Sequence, residues 1–196
     1  IRHEGASLVE ALPYDVMISG HGGKGVSVLR LWRASAPASF DMKSFTQGDY
    51  FAAMRGDNEA ELISKVLYPS DDHFEGKQLR LSQQYFLVSA SLQSIIKDHL
   101  KRNPSLDNLA EKAAIHINDT HPALAVPELM RLLMDEYGFA WEKAWNITVN
   151  TIAYTNHTVM SEALEKWSED LVRMRLPRIY SIIKEIDARF YGEHRD

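Results

Sequence analysis

Two short apolar segments, each followed by a polar cluster that contains histidine, constrain the fold of this 196-residue chain most strongly. The first segment is 112–118 and the second is 152–154. Helical patterns surround them in the order helix, strand, helix, helix, strand, helix. This order predicts an α/β fold with parallel strands, because a helix between two strands returns the chain to the same edge of the sheet.

The helical predictions rest on the spacing of apolar side chains and on the positions of glycine and proline. The clearest helix is 78–100, where apolar residues recur every three or four positions. Breaks are expected near Gly56, Pro127 and Pro177, because these residue types interrupt helices. Further helices are predicted over 45–67, from Pro122 to Tyr137, and over 141–148, 161–166 and 168–192.

Residues 6–34 have the pattern of strands and turns. An apolar run at 8–12 is closed by Pro13, and a second strand is predicted at 26–32. Between them, the glycine cluster at 20–23 predicts the tip of a hairpin. It lacks the Gly-Lys-Ser/Thr ending and the following helix of a phosphate-binding loop, so that kind of site is not expected.

Composition excludes several classes of function. The net charge is −5 without a basic block, so nucleic acid is not an expected partner. No apolar run approaches the roughly 20 residues that span a bilayer, so no membrane partner is expected. Cysteine is absent, which excludes disulfides and thiolate metal sites and fits a cytoplasmic protein. The chain begins at Ile1 without a signal peptide, and we expect it to start part-way along a longer protein.

The polar clusters lie where ligands bind in parallel sheets, beyond the carboxyl ends of the strands. Asp119 and His121 follow the first predicted strand, and Asn156 and His157 follow the second. A carboxylate accepts hydrogen bonds from sugar hydroxyls, and a neutral imidazole both donates and accepts. One interpretation is therefore a shared sugar-binding site at two adjacent strand ends.

Two other interpretations of the same residues stay open on spacing alone. Asp, Asn and His occur together around two-metal phosphatase centres, although the additional acidic ligands of such a centre are not evident here. Alternatively, Asn118, Asp119 and Thr120 cap the helix that follows them, and His157 is a hydrogen-bonded core histidine. The spacing does not name a reaction.

Three long segments, at 68–81, 118–131 and 154–167, carry a resemblance to a known family. The first ends in Phe-Glu-Gly-Lys-Gln-Leu-Arg-Leu, the second opens with Asn-Asp-Thr-His-Pro, and the third opens with Tyr-Thr-Asn-His-Thr-Val. In this order they resemble the α-glucan (glycogen, starch or maltodextrin) phosphorylase family. The resemblance covers nearly the whole chain and is far more specific than a short motif.

The resemblance implies a two-domain glycosyltransferase of the GT-B type. Residues 1–196 would be a single segment, the helix-rich later part of its Rossmann-like N-terminal domain. The family phosphorolyses terminal α-1,4-glucosidic bonds of a glucan to glucose 1-phosphate with pyridoxal phosphate. The cofactor lysine belongs to the C-terminal domain, which is absent here, so this chain is expected to be inactive alone. Alternatives are a non-catalytic glucan-binding or assembly module of the same ancestry and a metal-dependent hydrolase.

The resemblance also implies roles for the polar clusters. His157 matches the family histidine beside the glucose that is transferred, and is expected to be catalytic through orientation and electrostatic help. Asp119, His121 and Asn156 are expected to bind substrate. No residue of this chain is expected to bind the cofactor or a metal.

Two further regions take their expected roles from the resemblance. Asp71, Asp72 and His73 match the loop that gates the catalytic cleft, with animal enzymes carrying Asn and Phe at the last two positions. Residues 47–67 match the helix at the family's dimer interface, so a homodimer is expected. The expected substrates are an α-1,4-glucan and inorganic phosphate.

Overall fold

The computed structural model describes residues 4–37, 41–161 and 164–193. The chain divides into two units, Ile1–Phe86 and Leu87–Asp196. Each unit combines a two-stranded sheet with helices, as far as the described residues go. The mixed α/β character predicted from the sequence is therefore confirmed.

The first unit is built on a hairpin in which β1 (Glu10–Ser19) runs antiparallel to β2 (Val26–Ser35). Its tip is a 3-10 turn, His21–Gly23, in which Gly22 and Gly23 have φ of 66° and 69°. Glycine adopts this left-handed backbone at little cost. The hairpin predicted from the glycine cluster is confirmed.

Pro13 does not end the first strand, contrary to the sequence prediction, but lies within β1 opposite Trp32. A proline is tolerated because each strand of a two-stranded sheet has one edge that does not need its N–H. Asp15 and Arg30 face each other across the strands, joined by two hydrogen bonds of 2.7 Å. These bonds lower the pKa of the Asp15 carboxyl, so the pair supports the register at neutral pH and weakens as the carboxyl is protonated.

Aspartates begin the first two helices after the hairpin. The helices are α1 (Met42–Thr46), α2 (Tyr50–Lys65) and α3 (Phe74–Leu100), the last of which continues into the second unit. Asp41 accepts a hydrogen bond from the Ser44 N–H, and Asp49 accepts one from the Ala52 N–H, each at 3.0 Å. Both are typical N-cap contacts.

The interruption predicted near Gly56 is wrong, because α2 passes through this residue without a break. A glycine inside a helix costs roughly 1 kcal/mol relative to alanine. The Asp49 cap and the packing of α2 against β2 offset that cost. The packing includes a hydrogen bond of 2.9 Å from the Ala34 N–H to the Ser64 hydroxyl.

The second unit contains the parallel pair that the sequence predicted. Strand β3 (Ile115–Asn118) pairs with β4 (Ile152–Thr155), with Asn118 opposite Thr155. The first strand begins at Ile115 and not at residue 112, because the preceding residues form a short helix. The helices of this unit are α4 (Leu109–Lys112), α5 (Ala125–Arg131), α6 (Trp141–Thr151), α7 (Glu169–Arg175) and α8 (Pro177–Glu193).

Prolines act differently at the start of α5 than the sequence suggested. Pro122 is not the first helical residue, because it lies in a turn that the Ala125 N–H closes onto the Pro122 carbonyl at 2.9 Å. Pro127 causes no kink because it lies in the first turn of α5, where its missing N–H is not needed. A π-helical turn, Leu132–Glu136, follows α5, and Gly138 ends it with a φ of 72°.

The C-terminal predictions have mixed outcomes. Helix is found over most of 168–192 as predicted, with Ser168 as the N-cap of α7. The helix breaks at Leu176, because a residue before proline disfavours helical backbone. The helix predicted at 161–166 falls partly outside the described residues, and within it Ser161 has 3-10 helical backbone. Residues 162 and 163 lie outside the described part, and 164–166 are not helical.

The core of the second unit lies among α3, α5, α6, α8 and β3. Leu129, Met130 and Leu133 are fully buried, and Ile117 of β3 packs into the same cluster. Within the described ranges, no helix is both long and apolar enough to cross a membrane.

A buried ionic network joins α3 to α5. The Glu128 side chain is 0% exposed and accepts hydrogen bonds from the Ser89 hydroxyl at 2.7 Å and from Arg131 at 2.8 and 3.0 Å. Arg131 also bonds to Glu136 at 3.0 Å. Because a buried carboxylate needs partners for each oxygen, this network fixes the helix that follows the β3 strand end.

We predict that Glu128→Ala lowers the free energy of unfolding by about 3–5 kcal/mol, because Arg131 is left buried without its main partner. Glu136→Ala removes the exposed partner of the same arginine and should cost about 1 kcal/mol or less. Urea unfolding followed by circular dichroism measures both. Equal losses of unfolding free energy in the two variants would contradict the role of Glu128 as the main partner of Arg131.

Candidate functional site

The carboxyl ends of β3 and β4 lie side by side in the second unit. Asp119 follows β3 with a φ of 66°, a left-handed backbone that aspartate tolerates better than most residues. Its N–H donates to the Thr155 carbonyl at 2.8 Å, which ties the end of one strand to the other. Its carboxylate accepts the Thr120 N–H at 3.2 Å. The chain therefore turns sharply at Asp119, directly beyond the sheet.

Two side-chain contacts also cross between these strands. The His157 Nε2 meets the side-chain oxygen of Asn118, and the His116 Nε2 meets the Thr155 hydroxyl. His116 and Asn118 alternate with the buried Ile117, so they lie on the opposite face of β3. The structure thus places His157 against the β3 strand end, through a residue that the sequence analysis did not assign to the site.

Asn156 shapes the loop that carries His157. Its amide donates to the Thr158 carbonyl at 2.6 Å, and its side-chain oxygen accepts the Thr158 N–H at 3.3 Å. This pattern is a local turn that asparagine commonly forms with its own backbone. Asn156 and His157 are both exposed in this chain.

His121 lies close to an acidic residue that the sequence analysis did not single out. Its Nδ1 is 3.5 Å from the Glu165 Oε1, and the Glu165 side chain is only 13% exposed. A carboxylate held at this distance can orient the imidazole ring. The sequence signal was present, since Glu165 lies in the third segment of the family resemblance, but the spacing gave no reason to pair it with His121.

The capping interpretation of the first cluster is wrong. Helix α5 begins at Ala125, its N-cap is Leu124, and no side chain caps it. Asn118, Asp119 and Thr120 therefore serve the strand end and not the helix. His157 is exposed in this chain, so it is not part of the chain's own core.

The metal interpretation requires a cluster of ligating side chains. Among residues 4–37, 41–161 and 164–193, no group of three or more His, Asp or Glu side chains is arranged to hold a metal ion.

The predicted gating residues lie in the first unit, in the connection between α2 and α3. Asp71 accepts a hydrogen bond from Arg80 at 3.3 Å, and Asp72 accepts one from the Ser70 hydroxyl at 2.8 Å. The Nδ1 of His73 accepts the Gly76 N–H at 2.9 Å, so the imidazole caps α3. All three residues are thus engaged in the local structure of this loop.

A close backbone approach holds this loop against α3. A Cβ at Gly76 would lie 1.7 Å from the Ser70 carbonyl oxygen, far inside van der Waals contact. Gln83 donates to the Val66 carbonyl at 2.8 Å and fixes the other end of the connection. Position 76 therefore requires glycine if the loop is to keep this path.

Comparisons with known proteins identify relatives along the whole chain. The family model described as carbohydrate phosphorylase matches residues 1–196. The chain is 54% identical over 189 residues to the glycogen phosphorylase of Bacillus subtilis (strain 168), covering 96% of the chain and 23% of that protein. It is 49% identical over 191 residues to the muscle form of glycogen phosphorylase of Homo sapiens, covering 93% of the chain and 23% of that protein. The chain thus spans about a quarter of the length of these relatives.

We predict that Gly76→Ala destabilises the first unit by about 1–3 kcal/mol or more, because the methyl group overlaps the Ser70 carbonyl. Gly56→Ala in α2 is the matched control, since a Cβ there meets nothing within 4 Å. That change should stabilise the protein by about 0.5–1 kcal/mol. Thermal unfolding with hydrogen exchange at 68–73 measures both effects, and faster exchange is expected only in Gly76→Ala. Two changes of the same sign would contradict the role of Gly76.

Proposed function

The chain belongs to the carbohydrate phosphorylase family, and on that basis we propose that the protein containing it phosphorolyses terminal α-1,4-glucosidic bonds of a glucan. The products are glucose 1-phosphate and a shortened glucan. The observation that carries the proposal is the family match over residues 1–196, with about half of the residues identical to bacterial and mammalian glycogen phosphorylases. The geometry supports it, because polar side chains meet at adjacent ends of parallel strands, where α/β proteins bind ligands.

We propose that residues 1–196 form the later part of a Rossmann-like N-terminal domain in a GT-B type enzyme. The parallel pairing of β3 with β4 and the helices between them are features of such a domain. A parallel sheet normally has more strands and helices on both faces. The remaining strands would come from other parts of the longer protein.

In the proposed reaction, His157 lies beside the glucose unit that is transferred. Positive charge develops at the anomeric carbon in the transition state, and an oriented imidazole or backbone carbonyl stabilises it without reorganising. Asp119, His121 and Asn156 would bind sugar hydroxyls. A carboxylate, an amide and an imidazole together offer both acceptors and donors, which discriminates among sugars because a wrong sugar leaves buried groups unpaired.

Pyridoxal phosphate, where bound in the longer protein, would supply a phosphate group for acid–base chemistry with the substrate phosphate. The residues of this chain do not fit its attachment. A lysine that forms an imine is normally activated by desolvation, whereas every lysine in this chain is exposed. We therefore propose that the attachment lysine lies elsewhere in the longer protein and that these 196 residues alone form no glucose 1-phosphate.

We propose that the loop with Asp71, Asp72 and His73 gates access of the glucan to the site. Asp71, Asp72 and His73 are exposed, and their hydrogen bonds reach neighbouring loop residues and α3, so the loop can rearrange without unfolding a core. We place the enzyme in the cytoplasm, where its substrates, an α-glucan and inorganic phosphate, would meet.

We also propose that residues 47–67 form a homodimer interface in the longer protein. Helix α2 leaves large apolar side chains uncovered in this chain, with Phe51 92% exposed and Tyr50 59% exposed. Met54 and Leu62 add to the same helix. Uncovered apolar side chains of this size are typical of protein interfaces.

The test of the proposed reaction is His157→Ala in the full-length protein. We expect kcat for phosphorolysis of maltoheptaose to fall roughly 100-fold, the size seen when one preorganised group is removed from a transition state. KM for maltoheptaose should change by less than about threefold if the effect is on the transition state. His21→Ala, at the exposed hairpin tip, should leave both parameters unchanged.

Several results would change this assignment. A rise in KM at constant kcat would make His157 a binding residue only. A wild-type protein that binds maltoheptaose but forms no glucose 1-phosphate would favour a non-catalytic glucan-binding module.

For the interface, we predict that Phe51→Glu weakens dimerisation of the full-length protein roughly 30-fold or more, as expected when an aromatic hot-spot residue is lost. Phe51→Leu keeps an apolar side chain at the same position and should leave the dimer intact. Analytical ultracentrifugation over a range of concentrations measures both. Unchanged dimerisation in Phe51→Glu would exclude α2 from the interface.

A further inference from the structure

We propose that Asn118 is a positioning residue that fixes the tautomer and the ring orientation of His157. It is the last residue of β3, and its side-chain oxygen meets the His157 Nε2. One interpretation of the sequence made Asn118 a helix cap, but α5 begins seven residues later with Leu124 as its N-cap. The side-chain oxygen thus contacts the histidine, and no side chain caps α5. The expected effect on turnover rests on the proposed function, whereas the effect on the tautomer does not.

The backbone keeps Asn118 and His157 in a fixed relation. Asn118 lies opposite Thr155 in the parallel register, and His157 follows two residues after Thr155. The Thr155 carbonyl accepts the Asp119 N–H at 2.8 Å, and the Thr155 hydroxyl contacts His116. The two strand ends are therefore joined on both sides of the Asn118 side chain. The backbone therefore holds the two residues close together, and rotation of the imidazole away from Asn118 would lose their side-chain contact.

The chemistry of the amide sets the protonation pattern of the ring. A side-chain amide oxygen only accepts hydrogen bonds, so the His157 Nε2 must carry the proton that lies between them. In the neutral ring, Nδ1 is then left as an acceptor. His157 thus offers a lone pair to a donating sugar hydroxyl, and the alternative tautomer, which would offer a second N–H, is disfavoured.

The experiment uses the full-length holoenzyme with 15N-labelled histidine, and compares wild type with Asn118→Ala, Asn118→Asp and Asn150→Ala. Asn150 is the control, because it is exposed on α6 and its amide bonds to the Asn146 carbonyl within the helix. Long-range 1H–15N spectra report the tautomer of His157, with its signal identified by its loss in His157→Gln. Steady-state kinetics over pH with maltoheptaose and inorganic phosphate report turnover.

We expect wild type and Asn150→Ala to show the Nε2–H tautomer, and Asn118→Ala to show a mixture of both tautomers. In Asn118→Ala, kcat should fall about tenfold, the size of one lost hydrogen bond, with KM changed by less than about twofold. Asn118→Asp keeps an acceptor and should keep the tautomer. Its carboxylate favours the doubly protonated ring, so the acid limb of the pH profile should move up by about one pH unit.

An unchanged His157 tautomer in Asn118→Ala would overturn the proposal. So would equal effects on kcat and KM in Asn118→Ala and Asn118→Asp, since that pattern indicates a general structural role. If wild type forms no glucose 1-phosphate while its His157 tautomer still depends on Asn118, the proposed function fails and the positioning role stands.

Discussion

The parallel pairing of β3 with β4 is the interaction on which the candidate site depends. Four residue pairs set a register in which Asn118 lies opposite Thr155. A slip of one residue would turn every side chain of a strand to the other face of the sheet. Asn118 would then move to the side that Ile117 now occupies in the core, and its contact with His157 would be lost. Backbone hydrogen bonds thus determine which polar groups meet.

Packing protects this register from the side of the core. Helix α5 follows β3, and helix α6 precedes β4. The buried residues of both helices share one cluster with Ile117. Apolar packing does not by itself fix the orientation of α5. The ionic network around Glu128 restricts that orientation, because each carboxylate oxygen must face its donors. Burial of these charged side chains on α5, the helix that follows Asp119, costs desolvation free energy. The same charges that add little net stability therefore define one orientation of the helix.

Secondary structure could be predicted from the sequence where a pattern has a single physical cause. Glycines at the hairpin tip and apolar spacing in α3 predicted the right elements, and strands alternating with helices predicted a parallel pair. Predictions failed where tertiary contacts override local preference: Pro13 is tolerated at an open strand edge, and Gly56 is held inside a capped helix. In the site, the strand-end clusters could be predicted from pattern. The partners of the two histidines could not be predicted in this way. Asn118 is distant in sequence from His157, and Glu165 is distant from His121, so each pair meets only through the strand register and the path of the loops.

The close approach of Gly76 to the Ser70 carbonyl has a consequence for how this loop tolerates change. A position limited by a backbone overlap rejects all side chains alike, whatever their size, charge or polarity. Asp72, whose side chain bonds to a neighbouring hydroxyl, should instead accept or reject residues according to their chemistry. In a library of variants, the two positions would leave different marks: glycine alone at one, and a graded set of polar residues at the other. Substitution profiles would thus separate the residues that shape this loop from those that act in it.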